Sequence, residues 1–84
     1  MNKHIEITRH LTVDGTSTYY VVEKSKNSSS IIWNGTCKQA AYQVAYRNAR
    51  KENTPLYDTL YKAEVDRNGV KHIIPVGNEL LEVN

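Results

Sequence analysis

The chain has 84 residues, of which 39% are hydrophobic and 24% charged, with a formal net charge of +2. This balance is typical of one small globular domain and excludes a disordered or collagen-like chain, and the apolar runs are too short to span a membrane. A single cysteine excludes an intramolecular disulfide and a zinc cluster built on thiolates.

The positive charge lies in the first part of the chain. Residues 1–54 carry eight Lys and Arg against four Asp and Glu (+4), and residues 55–84 carry three against five (−2). Neither density matches the basic patch of a strong nucleic-acid binder. The N-terminal segment has no apolar stretch typical of a secretory signal, so we expect a cytoplasmic protein.

The first elements are predicted to form a β-hairpin. Residues 3–13 alternate between apolar and polar side chains, Asp14-Gly15 favours a tight turn, and a tyrosine-rich second strand follows at Ser17–Lys24. A two-residue loop would pair Leu11 with Thr18 and a three-residue loop would pair it with Tyr19, and the sequence leaves both open. Residues 25–30 are polar and predict a flexible loop, and residues 30–33 predict a short third strand.

One helix is predicted from Cys37 to about Glu52. Thr36 is the expected N-cap, with Gln39 completing a capping box. One face of this helix is expected to be buried against a sheet, and its small residues would let the two lie close together. The expected buried residues are Cys37, Ala40, Ala41, Val44 and Ala45, and the expected exposed ones are Gln43, Arg47 and Arg50.

A second hairpin is predicted after the helix. Residues 56–66 and 70–76 alternate again around Asn68-Gly69, and a two-residue loop there would place His72 opposite Val65. Pro75 lacks a backbone donor, so this last strand should lie at a sheet edge or end there. Residues 77–84 are left as a C-terminal tail.

These elements predict an α+β fold. Residues 1–84 should form a single domain, with an antiparallel sheet of four to five strands in the order β-β-β-α-β-β. One helix must cover one face of that sheet, because no other element can bury it. The opposite face should be solvated or used for a partner.

The residues that could carry chemistry favour structural roles. His4, Glu6 and His10 share a strand face, but six residues of strand separate the histidines by about 20 Å, too far for one metal ion. We interpret His72 as a partly buried structural imidazole and Cys37 as a small buried residue. We therefore predict no catalytic residue, no metal site and no cofactor.

Tyrosines and basic residues on the helix predict a partner-binding surface. Tyrosine and arginine are the side chains that most often anchor protein interfaces, and a basic stripe can meet an acidic surface. The predicted binding residues are Tyr42, Tyr46, Arg47, Arg50 and Lys51, extended by Lys24 and Lys26 from the neighbouring strand and loop.

The layout of the whole chain resembles small phage and mobile-element proteins, and within them single-helix anti-CRISPR proteins. The resemblance lies in the tyrosine-rich hairpin, the helix start at Thr36-Cys37-Lys38-Gln39, the Asn68-Gly69 turn and the ending His72-Ile73-Ile74-Pro75. It implies a protein that binds a subunit of a CRISPR-Cas complex and blocks DNA recognition or nuclease recruitment, in the cytoplasm of the host cell.

Residues 8–52 also resemble the three-strand-plus-helix DNA-binding module at the N-terminus of phage integrases. That resemblance implies a sheet presented to the major groove of DNA. The first two strands carry Arg9 and Lys24 but also Glu6 and Glu23, and a second hairpin follows, which departs from the module.

We therefore predict a non-enzymatic binding protein that inhibits a host defence complex by protein–protein contact. Direct DNA binding through the sheet is the alternative. A catalytic pocket would consume much of so small a core, which argues against an enzyme. A homodimer through a sheet edge or the tail is a further expectation.

Overall fold

Residues 3–83 are described by a computed structural model of the chain, and they form one small α+β domain. Five strands and one helix follow in chain order, which confirms the predicted fold class. Their bounds are β1 His4–Leu11, β2 Ser17–Lys24, β3 Ser29–Gly35, α1 Lys38–Glu52, β4 Leu56–Val65 and β5 Lys71–Leu81.

The five strands form one mixed sheet in the order β3-β2-β1-β4-β5. All neighbours are antiparallel except β1 and β4, which are parallel, so the wholly antiparallel sheet expected from the sequence is wrong at its centre. The reason is the helix. Because α1 carries the chain back along the sheet, β4 starts at the same end as β3 and β1 and enters beside β1 in the same direction.

Both hairpins close with three-residue loops. Thr12 and Thr16 bond across the first, and Asp66 and Val70 across the second. The last loop residue has positive φ in each case, +93° at Gly15 and +79° at Gly69, as in turns that end in a left-handed glycine. The first loop consists of residues 13–15 and so starts one residue before Asp14-Gly15. Leu11 therefore pairs with Ser17, and neither of the two pairings left open by the sequence is present.

The second hairpin shifts the register in the same way. Val65 pairs with Lys71, and His72 lies opposite Glu64 instead of Val65. His72 is exposed, with its Nε2 2.9 Å from Asp66 Oδ2, so its interpretation as a partly buried imidazole is wrong. The pKa of Asp66 is lowered, first by the contact with His72 and then by hydrogen bonds from the amides of Val70 and Asn68. Because the Asp66 carboxylate accepts these bonds across the loop, it stabilises the turn.

The last strand is longer than expected. β5 lies at the sheet edge, as Pro75 predicted, but it continues to Leu81, so residues 77–81 belong to a strand and not to a tail. The register shifts between Leu60, which pairs with Gly77, and Tyr61, which pairs with Pro75. The extra residue between them lets the strand continue past a residue that cannot donate to the ladder. At the other edge, β3 begins at Ser29 and shortens the predicted polar loop.

The helix begins one residue later than expected. Its N-cap is Cys37, with no side-chain capping bond, so the capping box from Thr36 to Gln39 is not formed. Because Cys37 has an extended backbone (φ −87°, ψ 107°), its side chain does not follow the buried helical face and is exposed. The helix ends at Asn53, whose left-handed conformation (φ 53°) directs its amide to the Arg50 carbonyl.

The core lies between one face of α1 and one face of the sheet. Ala41, Ala45 and Ala49 recur at helical spacing and are fully buried, which confirms the prediction for Ala41 and Ala45 and adds Ala49. Of the other residues predicted to be buried, Ala40 and Val44 are only partly buried and Cys37 is exposed. The three buried alanines lie against the largest fully buried side chains, which are Ile5, Ile7, Val21 and Leu56. Small side chains on the helix let its axis lie close to the strands, and this contact therefore leaves little room for a larger side chain.

Enlarging one of the alanines tests this packing. We expect Ala41→Leu to force the helix away from β1 and lower the free energy of unfolding by about 1–3 kcal/mol. Gln43→Leu on the exposed side of the helix is the control and should change it by less than about 0.5 kcal/mol. Urea unfolding measures both, and equal values would show that α1 buries a different face.

The loop glycines give a second test. An alanine at Gly69 meets no atom within 4 Å, so Gly69→Ala should destabilise the domain only through its left-handed backbone, by about 1–2 kcal/mol. Gly77 is equally open but has no positive φ, and Gly77→Ala should leave the thermal midpoint unchanged or raise it. A similar loss in both variants would contradict the three-residue turn.

Candidate binding surfaces

The accessible part of α1 carries most of the residues predicted to bind a partner, with Tyr42 and Tyr46 half-buried at the border of the core. Tyr42, Tyr46 and Arg50 follow one another at intervals of four, and together with Gln39 and Gln43 they line a shallow depression of about 500 Å³. The Arg50 guanidinium lies 5.9 Å from the centre of the Tyr46 ring, within cation–π distance. Arg47 and Lys51 are exposed beside this row. We call Tyr42, Tyr46, Arg47, Arg50 and Lys51 the helix surface.

Tyr42 is held in place by a contact that the sequence did not reveal. Its hydroxyl donates a hydrogen bond to Asp58 of β4. Burial, followed by the hydrogen bond and charge of Asp58, raises the pKa of Tyr42 well above its usual range. The ring is therefore fixed on the domain before any partner arrives.

The helix surface is basic because its only acidic neighbour on α1 is already paired. Glu52 accepts a bond of 2.7 Å from Lys3, which also lies 3.2 Å from Glu23. The contact with Lys3 lowers the pKa of Glu52. Among residues 3–83, no carboxylate forms an ion pair with the other charged side chains of the helix, which are Lys38, Arg47, Arg50 and Lys51.

The two remaining predicted residues do not join this surface as one stripe. Lys24 lies on the opposite face of the sheet, where its Nζ is 3.1 Å from Glu6 Oε1. Glu23 pairs with Ile5 and so lies on the side of the sheet that faces the helix. Because successive side chains of a strand alternate between faces, Lys24 lies on the other side. Lys26 is exposed in the connection between β2 and β3. Lys24 is therefore a correction to the predicted set.

The sheet face turned away from α1, which we call the open face, forms a second surface. Its first strand carries His4, Glu6, Thr8 and His10, as the alternation predicted. Glu6 is nevertheless only 6% exposed. Its Oε1 accepts a 3.2 Å bond from Thr8 and the contact from Lys24, so the buried carboxylate is compensated by its neighbours.

Three aromatic rings meet at the centre of the open face. His10 of β1 lies between Tyr20 of β2, edge to face at 5.2 Å, and Tyr61 of β4, stacked at 5.1 Å with 19° between the planes. We call these three residues the aromatic partition. Burial lowers the pKa of His10 and so favours the neutral form of its ring.

The aromatic partition separates two hollows in the open face. The first has a volume of about 380 Å³ and is lined by Glu6 and Lys24 in addition to the partition. The second, of about 190 Å³, is lined by Lys62, Lys71 and Ile73 on the other side of the same rings. Both hollows are open to solvent, and each combines an aromatic wall with at least one lysine.

The three residues of the aromatic partition lie on predicted strands, but the sequence alone does not predict that their side chains are in contact. The contact of His10 with Tyr61 requires the parallel pairing of β1 with β4, which places these residues opposite each other. The contact with Tyr20 requires the first hairpin register. The high tyrosine content was the available signal for a binding surface, but tyrosines lie on the helix as well as on the strands, so it did not favour the open face.

Comparisons with known proteins give no further lead. No family model matches the chain, and no curated protein and no solved structure is significantly similar to it. Within residues 3–83 no helix has the length and apolar character needed to cross a membrane. In the same part of the chain, no three His, Cys, Asp or Glu side chains are grouped as a metal site.

The burial of His10 makes stability depend on pH. Because its pKa is lowered in the folded state, the unfolded chain binds this proton more tightly, and stability is lost as the pH falls through about 6.5 and below. We expect His10→Gln to remove this loss. Urea unfolding between about pH 7.5 and 5.5 measures the difference between the two proteins, and a difference that is independent of pH would contradict the burial of the ring.

Proposed function

We propose that the protein is a non-enzymatic binding protein that docks its helix surface on an acidic patch of a protein partner. The observation that carries this proposal is the row of Tyr42, Tyr46 and Arg50 around one shallow depression, beside basic side chains without ion-pair partners in residues 3–83. A broad, shallow and positively charged surface suits contact with a macromolecule better than enclosure of a small substrate.

The anchoring of the tyrosines supports a role in binding. Tyrosine and arginine dominate the energy of many interfaces when they lie near its centre. The bond of Tyr42 to Asp58 fixes the ring in advance, so less conformational freedom is lost on association. Arg50 lies over the Tyr46 ring, and this contact likewise orients its side chain before association.

The partner class that we propose is a host defence complex. The chain resembles single-helix anti-CRISPR proteins, which implies an inhibitor that occupies a subunit of a CRISPR-Cas complex. Such complexes contain surfaces that bind other proteins or the phosphates of nucleic acids. A basic helix surface would be steered to an acidic subunit surface and would cover it by contact alone.

Duplex DNA in contact with the sheet is the rival function, and the charges disfavour it. Binding to duplex DNA depends on several lysines or arginines that neutralise phosphates. Glu6 balances the charge of Lys24 in the first hollow of the open face, so within residues 3–83 Lys62 and Lys71 of the second hollow are the free cations there. The larger group of free cations in this part of the chain lies on the helix surface, on the other side of the domain, and consists of Arg47, Arg50 and Lys51.

Charge reversal on the helix surface tests the proposal. Arg47→Glu with Arg50→Glu should weaken binding to a purified CRISPR interference complex at least a hundredfold, because it replaces attraction by repulsion at two sites. In cells, the double variant should no longer restore plaque formation by a phage that the host CRISPR system targets. Biolayer interferometry and plaque counts are the two measurements.

The matched control reverses two exposed charges elsewhere. Lys26→Glu with Arg67→Glu changes the net charge equally but lies in the connections after β2 and β4, and it should bind like the unmodified protein. Both double variants should show the unmodified circular dichroism spectrum. Equal binding by the two double variants would exclude the helix surface, and failure of the unmodified protein to bind or inhibit any interference complex would exclude the proposed partner class.

A further inference from the structure

We infer that the open face binds unstacked bases of a single-stranded nucleic acid. The two hollows and the aromatic partition between them form one track across the sheet, from Lys24 on β2 to Lys71 on β5. This site is independent of the helix surface, because the two lie on opposite sides of the domain.

The shape of the track fits planar rings. His10, Tyr20 and Tyr61 line both hollows, so a ring in each hollow would contact the same aromatic cluster from two sides. Stacking on aromatic side chains is the main way in which proteins hold single-stranded bases, and it tolerates different sequences because every base has a π-face. The neutral imidazole of His10 lets a ring approach without a cost for covering a charge.

The polar groups of the track complement a nucleotide. Glu6 lines the first hollow and accepts hydrogen bonds there, and a carboxylate can accept a bond from the exocyclic amino group of a base. Lys24 balances the charge of Glu6, so the carboxylate does not repel phosphates. Lys62 and Lys71, which both line the second hollow, are then the cations available to a phosphate.

Single strands fit this site better than a duplex. In a duplex the faces of the bases are covered by their neighbours, so the aromatic partition would have nothing to stack against. With about one or two lysines in contact with phosphates, the slope of log K against log salt should be shallow, about −1. A protein that grips duplex phosphates with many cations shows a much steeper slope.

The test is a fluorescence anisotropy titration with labelled oligonucleotides of about twelve nucleotides, within the usual site size of such proteins. We expect binding of a single-stranded DNA and a single-stranded RNA of mixed sequence at low salt, and weaker binding of the corresponding duplex. The ratio of the two single-strand affinities identifies the preferred sugar. Absence of single-strand binding, or tighter binding of the duplex, would overturn the inference.

Variants locate the binding on the track. Tyr61→Leu should weaken single-strand binding about tenfold, the value of one stacked base. Its matched control is Tyr57→Leu on the same face of the same strand. Tyr57 stacks edge-on against His4 and lines neither hollow, so this control should retain the affinity. Equal affinity of the two variants would contradict the site.

A second variant keeps the test decisive if Tyr61→Leu unfolds the domain. Lys71 is exposed on the edge strand, and Lys71→Gln should reduce the magnitude of the salt slope by about 0.7, the value of one phosphate contact to a single strand. Lys38→Gln on the helix is its control and should leave the slope unchanged. An unchanged slope for Lys71→Gln would also overturn the inference, whereas binding of a protein partner through the helix surface would be unaffected.

Discussion

The close contact between the alanine face of α1 and the central strands is the constraint on which the rest of the structure depends. Ala41, Ala45 and Ala49 are fully buried against Ile5 and Ile7, and one helix is all that covers the sheet in residues 3–83. A domain of this size has little apolar surface to spare, so its core is one-sided. The outward side of the helix and the far side of the sheet are both left available for contact with partners.

This one-sided arrangement explains why the two candidate surfaces differ in chemistry. The helix surface is basic because the one acidic side chain of α1 is engaged by Lys3, and its tyrosines are fixed by contacts with the sheet and with Arg50. The open face has fewer free cations in the described part of the chain, since Lys24 compensates Glu6 and leaves Lys62 and Lys71, and its prominent feature is a cluster of rings. Charge suits the first surface to an acidic protein, and stacking suits the second to bases. A nucleoprotein complex would offer both.

Local sequence patterns predicted the helix and the strands, whereas the pairing of distant strands determines which side chains are in contact. The alternation around Ile5 and the alanine spacing gave the first strand and the buried helical face because side-chain periodicity follows backbone geometry. The length of the two hairpin loops was harder to predict from the sequence. Both loops begin one residue before the Asp-Gly or Asn-Gly pair, because a glycine in left-handed conformation completes a three-residue turn. A shift by one residue changes every cross-strand neighbour. His72 was misplaced for this reason. The partition around His10 also needed the parallel pairing of β1 with β4, which no local pattern encodes.

The most direct test of the one-sided core is solvent paramagnetic relaxation enhancement, measured by NMR with a soluble, uncharged gadolinium complex. The account predicts strong relaxation of the ring protons of Tyr20 and Tyr61 on the open face, and protection of the methyl groups of Ala41 and Ala45 beneath the helix. Equal protection of the tyrosine rings and the alanine methyl groups would mean that another layer, such as a second copy of the chain, covers the open face. That result would contradict the account.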